Sequence, residues 1–444
     1  MLNPFRTRIT RSSKTAALLC ASILFLAPAP KVEAAIQYVI AISVDGCRGD
    51  FLQTFVETTP ANFPNFVRLR NMSAYTYNAR ADYAQTITIP AHLCMLTGRP
   101  ADTQGGVPLS ATHGVTSDAP SAGSTVKVYL ASDGVNSGPY KASIFDMAHD
   151  RGLSTALYLG KDRLSIATRS WDATNGEPDV TGVDNGKNKV DFFDNWNAPS
   201  NNGTLTSGRI TSFAGLISST TLKNFTFFHV ADTDLAGHSA SWTTAAGNYR
   251  TMMLTMDGWL GQVLNAVEGN PALAGKVAII LTADHGGGTP SNHHNAVPAN
   301  VTNYVIPFFL FAPGVPANSD LYTFLANRVP PGTTNVLYTA ANQPIHNGDL
   351  ANLAATLLGV PFVTGSYMFP EFAKPTTVAN PATGTNTVTW PIYLTNYQLE
   401  YKDDLAAATW TTETTGIAEV GTNFVHTVPA GAPGARFFRL RRPE

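Results

Sequence analysis

Four apolar runs in this chain each end within a residue or two of an acid, and that pattern constrains the fold more than any other feature. Tyr38-Val39-Ile40-Ala41-Ile42-Ser43-Val44 leads into Asp45. Phe225–Val230 leads into Asp232 and Asp234, with His238 beyond. Val277–Thr282 leads into Asp284-His285, and Ser154–Leu159 into Gly160-Lys161-Asp162. Apolar runs of this length, bounded by turn residues, read as strands buried on both faces. Carboxylates and imidazoles beside a core are costly unless something pairs with them. The carboxyl ends of the strands in an open α/β sheet are where ligands bind. The strand ends therefore read as a metal-dependent active site assembled from distant segments.

The intervening sequence supports that sheet. Val126–Leu130 and Tyr304–Phe311 are further strand candidates. Pro64–Arg70, Ala91–Leu96, Ile144–Ala148, Tyr249–Val267 and Asp349–Leu358 carry helical patterns. Strands separated by helices predict an α/β fold with a mostly parallel sheet sandwiched by helices, over residues 36–373. Asn175–Asp191 and Asn195–Ser207 are dense in Asn, Asp and Gly and read as surface insertions. Residues 374–387, rich in Thr, Pro, Asn and Gly, read as a linker. The short alternating segments of 388–444 read as a small all-β domain.

The first 35 residues differ in texture. Arg6, Arg8, Arg11 and Lys14 precede an apolar stretch from Thr15 to Pro28, and small residues follow at Ala34 and Ala35. This reads as a secretory signal peptide, because the apolar run falls short of the ~20 residues a membrane span needs. Its removal takes away five positive charges and one negative, moving the formal charge from −2 to −6. An acidic exported protein without a basic, aromatic-interleaved run is not expected to bind nucleic-acid polymers, nor to span a membrane after cleavage. Cys47 and Cys94 would remain, either bridged or as buried thiols.

Thr86-Ile87-Thr88-Ile89-Pro90-Ala91-His92 opens a short helix that closes at Leu96-Thr97-Gly98-Arg99. Thr88 suits the cap of that helix, and Pro90 its first turn. Alternatively, Thr88 is a nucleophile at a helix start that favours negative charge, activated by a metal or a base. Asp45-Gly46, Thr88-x-Pro90-x-His92, Asp234-x-x-x-His238 and Asp284-His285-Gly286 occur in an order that resembles the nucleotide pyrophosphatase/phosphodiesterase family of the alkaline phosphatase superfamily, and Thr97-Gly98-Arg99 fits as well. The resemblance spans roughly 36–363.

It implies an alkaline-phosphatase-like fold, a small phosphate-ester substrate and two divalent metal ions of the zinc type. One ion would be held by Asp45, Thr88, Asp284 and His285. The other would be held by Asp234, His238 and either His294 or His293, spacing favouring His294. Oxygen and nitrogen ligands of this kind suit zinc. His92 is expected to brace the helix, and Asp232 to support or cap a loop. His113, His149, His229, His346 and His426 are expected to be structural, loop or surface residues. Lys161 is either a substrate contact or a surface lysine.

The resemblance further implies hydrolysis of phosphodiester or pyrophosphate bonds through a threonyl-phosphate. Phosphomonoester hydrolysis on the same scaffold and a non-catalytic binding protein are the alternatives. One departure bears on that choice. The family follows a His-Gly-Ile/Val stretch with an asparagine that donates to the phosphoryl oxygen, whereas His113-Gly114-Val115 is followed by Thr116-Ser117-Asp118. An acid there would repel phosphate unless turned away or protonated.

Overall fold

A computed structural model describes residues 36–441 apart from 120–127, 129–138, 182–185, 198–202, 373–375, 381–383, 392–393, 395–396, 421–422 and 429–435. The signal-peptide reading and most of the Val126–Leu130 strand candidate lie outside the described residues.

Eight strands form one sheet. In chain order they are β1 (Tyr38–Val44), β2 (Ala74–Arg80), β3 (Thr155–Leu159), β4 (Phe192–Asn195), β5 (Phe225–Val230), β6 (Val277–Thr282), β7 (Val305–Phe311) and β8 (Ser319–Asp320). Their spatial order is β4-β3-β5-β1-β6-β7-β2-β8. The first five in that order run parallel, and β7 is antiparallel to both its neighbours. The strands read as continuous apolar runs are the buried centre: every residue of β3, β5 and β6 is buried, and all of β1 after Tyr38. The expected mostly parallel α/β sheet is the one observed.

Helices cover both faces. Thr204–Ser218, Asn248–Glu268 and Pro64–Met72 pack together, while Thr88–Thr97, Ile144–His149 and Asp349–Leu357 form a second group. Thr204–Ser218 begins inside a stretch read as an insertion, and its mixture of Thr, Ser and Gly hides its buried stripe of Thr206, Ile210, Phe213 and Ile217.

The sheet register makes the site. β1 lies between β5 and β6, with Val44 beside Val230 and Ser43 beside both His229 and Thr282. The three central strands therefore end level, and the residues that follow them (Asp45, Asp232 to Asp234, Asp284) emerge at one edge. Gly46 turns the chain directly after Asp45 at φ +67, where a Cβ would lie 3.0 Å from the Asp234 Cα.

Beyond the eight-stranded sheet come β9 (Thr376–Asn380), β10 (Thr385–Pro391), β11 (Gln398–Lys402), β12 (Thr411–Thr412), β13 (Ile417–Val420), β14 (Asn423–Val428) and β15 (Phe437–Arg441). They form two antiparallel sheets, β13-β14-β10-β9 and β12-β11-β15. Val388, Trp390, Leu399, Phe424 and Val428 are buried there. β9 falls in the stretch read as a linker: Thr377 and Thr387, for all their polarity, belong to paired strands. Among the described residues no helix is long and apolar enough to cross a membrane. Cys47 and Cys94 are both free and buried.

Candidate active site

The structure gathers Asp45, Thr88, Lys161, Asp234, His238, Asp284, His285 and His294 at the carboxyl end of the sheet. Three of them, Asp45, Asp234 and Asp284, are buried carboxylates, and the ammonium at their centre is that of Lys161. Its Nζ lies 2.7 Å from Asp45 Oδ2 and 2.6 Å from Asp234 Oδ2, and donates to Thr88 Oγ1 at 3.0 Å. Lys161 is thus buried at the end of β3 and is not a surface lysine. Burial disfavours its charge, but Asp234 and Asp45 outweigh that and hold its pKa above the ordinary lysine value.

The carboxylates respond in opposite directions. Burial opposes ionisation of Asp45, yet Lys161, His229 and His285 bring its carboxyl well below the usual range. Asp234 is likewise lowered against burial, chiefly by Lys161. Asp284 is raised by burial and by the neighbouring Asp45. One lysine does not satisfy three buried carboxyls, so without further cations one of them, Asp284, is driven toward its neutral form.

The imidazoles are arranged for the same purpose. His238 Nδ1 donates to the Asn292 carbonyl at 2.9 Å, His294 Nδ1 to the Thr86 carbonyl at 2.5 Å, and His285 Nδ1 to the Gly286 carbonyl at 2.9 Å. Each ring therefore turns the Nε2 lone pair inward, the arrangement by which backbone carbonyls orient metal-binding histidines. His238 Nε2 is 3.0 Å from His294 Nε2, and the two lie 3.5 and 3.6 Å from Asp234 Oδ1. His285 Nε2 is 3.5 Å from Asp45 Oδ1 and 3.2 Å from Asp284 Oδ2.

These inward atoms are also the unsatisfied ones. Asp45 Oδ1, Asp234 Oδ1, Asp284 Oδ2 and His285 Nε2 are buried without a hydrogen-bond partner among the described residues. Two groups bring their ligand atoms within 4.8 Å of one another: Asp234, His238 and His294, and Asp45, Asp234 and His285. A divalent cation fits both, since it satisfies oxygen and nitrogen lone pairs that no protein donor reaches. His294 is the member of the adjacent pair that enters this cluster. His293 is exposed, its ring centroid 5.7 Å from that of His238.

Thr88 is the first residue of the helix Thr88–Thr97, and the cap position belongs to Ile87, which offers no side-chain bond. The Thr88 hydroxyl is thereby left to Lys161. His92 holds this turn from below, donating from Nδ1 to the Thr88 carbonyl at 2.7 Å and accepting the Ser43 hydroxyl at Nε2, 2.9 Å away. Gly98, at φ +63, ends the helix in the left-handed region, its N–H on the Cys94 carbonyl.

The structure gives further residues of this environment partners that the sequence did not indicate, and Trp242 was not read from the sequence at all. His229 is buried in β5. Its Nδ1 accepts the Gly160 N–H at 3.1 Å, so Nε2 donates to Asp45 Oδ2 at 3.0 Å and fixes that carboxylate. Trp242 donates to the Gly46 carbonyl and walls the site, its ring 5.3 Å from His238 and 5.9 Å from His294. Asp118 sits at the start of the Thr88 helix: Oδ1 accepts the Ile89 N–H at 2.7 Å and Oδ2 pairs with Arg163 at 2.6 Å. The carboxylate expected to repel phosphate is thus partly compensated. Asp232 takes a hydrogen bond from the Thr206 hydroxyl at 2.6 Å and joins neither group of converging ligand atoms.

An open sheet of this kind, with buried acids and imidazoles at its carboxyl end, is the alkaline-phosphatase-like fold. Residues 39–305, more than half of the chain, match the family of type I phosphodiesterases and nucleotide pyrophosphatases. The chain belongs to that family, whose members are hydrolases acting on phosphate esters. No curated protein matches it in sequence. Among solved structures, a putative sulfatase of Bacteroides fragilis aligns with a TM-score of 0.47 at 13% identity, covering 82% of this chain and 86% of that one. Murine ectonucleotide pyrophosphatase/phosphodiesterase 5 gives 0.44 at 12% identity, covering 74% and 96%. The lipoteichoic acid synthase LtaP of Listeria monocytogenes gives 0.47 at 12%, covering 88% and 87%.

Proposed function

We propose that the chain is an exported hydrolase that uses two divalent ions, of the zinc type, to cleave phosphodiester or pyrophosphate bonds through Thr88. The observation that carries this reading is the set of buried lone pairs on Asp45, Asp234, Asp284 and His285, unpartnered among the described residues and lying beside a helix-start hydroxyl. Asp45, Thr88, Asp284 and His285 would hold one ion, and Asp234, His238 and His294 the other. When bound, such ions lower the pKa of a coordinated hydroxyl and neutralise charge on a phosphoryl group. Export rests on the leader-like sequence of residues 1–35.

The chain's own groups prepare the attack. Lys161 donates to Thr88 Oγ1 and stabilises negative charge there as the hydroxyl loses its proton. The helix start favours the same charge. His92 fixes the Thr88 backbone, so the hydroxyl approaches in one orientation. Attack forms the Thr88 Oγ1–phosphorus bond as the bond from phosphorus to the leaving oxygen breaks; the hydroxyl proton passes to water, and the other substituent stays on phosphorus. Water then cleaves that threonyl phosphoryl ester, releasing the phosphomonoester and returning a proton to Oγ1.

Elemental analysis of the purified protein, with hydrolysis of a nitrophenyl phosphodiester and a nitrophenyl phosphomonoester, tests this. The expected result is metal at about two ions per chain and metal-dependent release of nitrophenol, an outcome the two-ion chemistry requires. Absence of both metal uptake and turnover would overturn the reading.

A further inference from the structure

The start of the Thr88 helix already carries an anion, and it belongs to the protein. A helix start offers its first few N–H groups to negative charge. Here Pro90 has none to offer, and Ala91 N–H is turned back to the Ile87 carbonyl at 3.2 Å. Ile89 N–H, in the peptide directly after Thr88, is held by Asp118 Oδ1 at 2.7 Å. Arg163, two residues beyond the Lys161 that touches Thr88, pairs with the other carboxylate oxygen.

The pair is not symmetric. The Asp118 side chain is 24% exposed and that of Arg163 is 46% exposed. The carboxylate is the inner partner, bonded to the nucleophile helix, and the guanidinium the outer one. Solvent screens the outer charge more strongly, so compensation at the phosphoryl position is incomplete.

We propose that Asp118, backed by Arg163, is a specificity-determining pair that sets how much negative charge a substrate's phosphoryl group can carry. A phosphodiester presents one negative charge and two substituted oxygens. A phosphomonoester at neutral to alkaline pH presents two charges spread over three free oxygens. The fixed carboxylate beside Thr88 opposes the second charge and occupies a helix N–H that a third free oxygen would otherwise use. The site is thereby biased against monoesters and toward diesters. The inference rests on the hydrolase reading above and adds the residues that set its preference between monoesters and diesters.

Asp118→Asn tests it, because the amide oxygen still accepts the Ile89 N–H while the charge is removed. With metal-loaded protein at pH 8, kcat/KM is measured for nitrophenyl phosphate and for a nitrophenyl alkyl phosphodiester. Binding of inorganic phosphate is measured by titration calorimetry. The monoester-to-diester ratio is expected to rise by about tenfold or more, the scale of removing one charge several ångströms from the reacting group. Phosphate should bind correspondingly tighter. Arg163→Met, which strips the outer charge and leaves the carboxylate, should move both quantities the opposite way. If both esters change by the same factor in Asp118→Asn, and phosphate affinity is unmoved, Asp118 is only a helix cap and the inference is overturned. A wild type that cleaves neither ester overturns the proposed function instead, and the phosphate titration still decides for or against Asp118.

Discussion

His238 and His294 point their Nε2 atoms at each other across 3.0 Å, and each has already given its Nδ1 proton to a backbone carbonyl. Two lone pairs so placed repel unless a cation lies against them. With Asp234 Oδ1 within 3.6 Å of both, they form a ready divalent site. His294→Ala should therefore weaken zinc binding by a factor of ~10–100 or more, the scale seen when even the groups that support a ligand are lost. His293→Ala should leave it within about threefold. Calorimetric titration of chelator-treated protein reads both. Equal effects of the two variants would reverse the assignment.

Under the proposed function Lys161 and the ions would neutralise the same carboxylates, which would make the importance of Lys161 depend on metal. In metal-free protein, Lys161→Met leaves Asp45 and Asp234 buried with no ammonium beside them. Breaking a buried ion pair in this way costs ~3–5 kcal/mol. Cations bound at the same carboxylates would supply the missing charge. The variant should thus lose much more stability in the presence of chelator than with saturating zinc. Urea melts under the two conditions measure the difference, and identical losses would show that Lys161 and the metals do not share a role.

How much of this was legible depends on whether the physics is local. The central strands announce themselves as unbroken apolar runs because both their faces are covered. The outer strands do not. Phe192 and Phe193 in the edge strand β4 are exposed, and β2, paired on its outer side only at Ala74 and Tyr75, interleaves Tyr, Thr, Asn and Arg, with Asn78 and Arg80 reaching the backbone of Gly332 and Thr334. Asp45, Thr88, Asp234 with His238, and Asp284 with His285 stand out by order and spacing, and the sheet register then brings them together. His229 did not stand out. A lone imidazole inside an apolar strand reads as a core residue, and its bond to Asp45 spans 184 positions. The Asp118–Arg163 pair joins two loops whose approach only the tertiary structure reveals.

Thr88 carries the sharpest chemical test. It stands one residue inside the cap position, and its hydroxyl accepts from Lys161. Under the proposed mechanism Thr88→Ala removes the attacking oxygen, and kcat should fall by about 10³-fold or more, a loss on the scale of deleting a catalytic nucleophile. Zinc binding at Asp234, His238 and His294 should be retained. Thr88→Ser keeps the oxygen and should hold a measurable fraction of the rate. Rapid quenching of Thr88→Ser or wild type with a phosphorus-labelled diester should trap the labelled phosphoryl group, still carrying its second substituent, on the protein, and Thr88→Ala should trap none. An alanine variant with full activity would exclude the threonine.

Gly46 is a turn residue on which the carboxylate cluster depends. Its φ of +67 is strained for any other side chain, and an added Cβ would sit 3.0 Å from the Asp234 Cα and 3.1 Å from its Oδ1. Its N–H also holds Asp284 Oδ1 at 3.0 Å. Gly46→Ala should therefore lower stability by about 1–3 kcal/mol, the range for a strained backbone position, and weaken metal binding with it. A variant that loses stability but keeps its zinc affinity would separate the turn from the site.

Acid should destabilise the fold through histidines outside the metal cluster. His113, fully buried, donates from Nε2 to the Pro90 carbonyl and accepts the Val115 N–H at Nδ1. Burial is the main cause that pushes its pKa down to about 3, and His346 is likewise pushed down to about 4. Both are neutral in the folded chain, whereas in the unfolded chain they gain protons near pH ~6.5. A depressed histidine pKa contributes stability that is fully present above that value and is lost as pH falls toward the folded pKa. Between pH 7.5 and pH 5 each should account for about 2 kcal/mol of lost stability, at 1.36 kcal/mol per unit. Buried carboxylates with raised pKa values, such as Asp82 at about 6, act in the opposite direction over part of that range. The contribution of His113 is therefore best isolated by difference. His113→Gln keeps a donor and an acceptor but cannot titrate. It should be less stable than wild type at pH 7.5 and lose about 2 kcal/mol less on acidification to pH 5. Urea melts at the two pH values give the comparison, and parallel pH slopes for the two proteins would show that His113 does not carry the acid sensitivity.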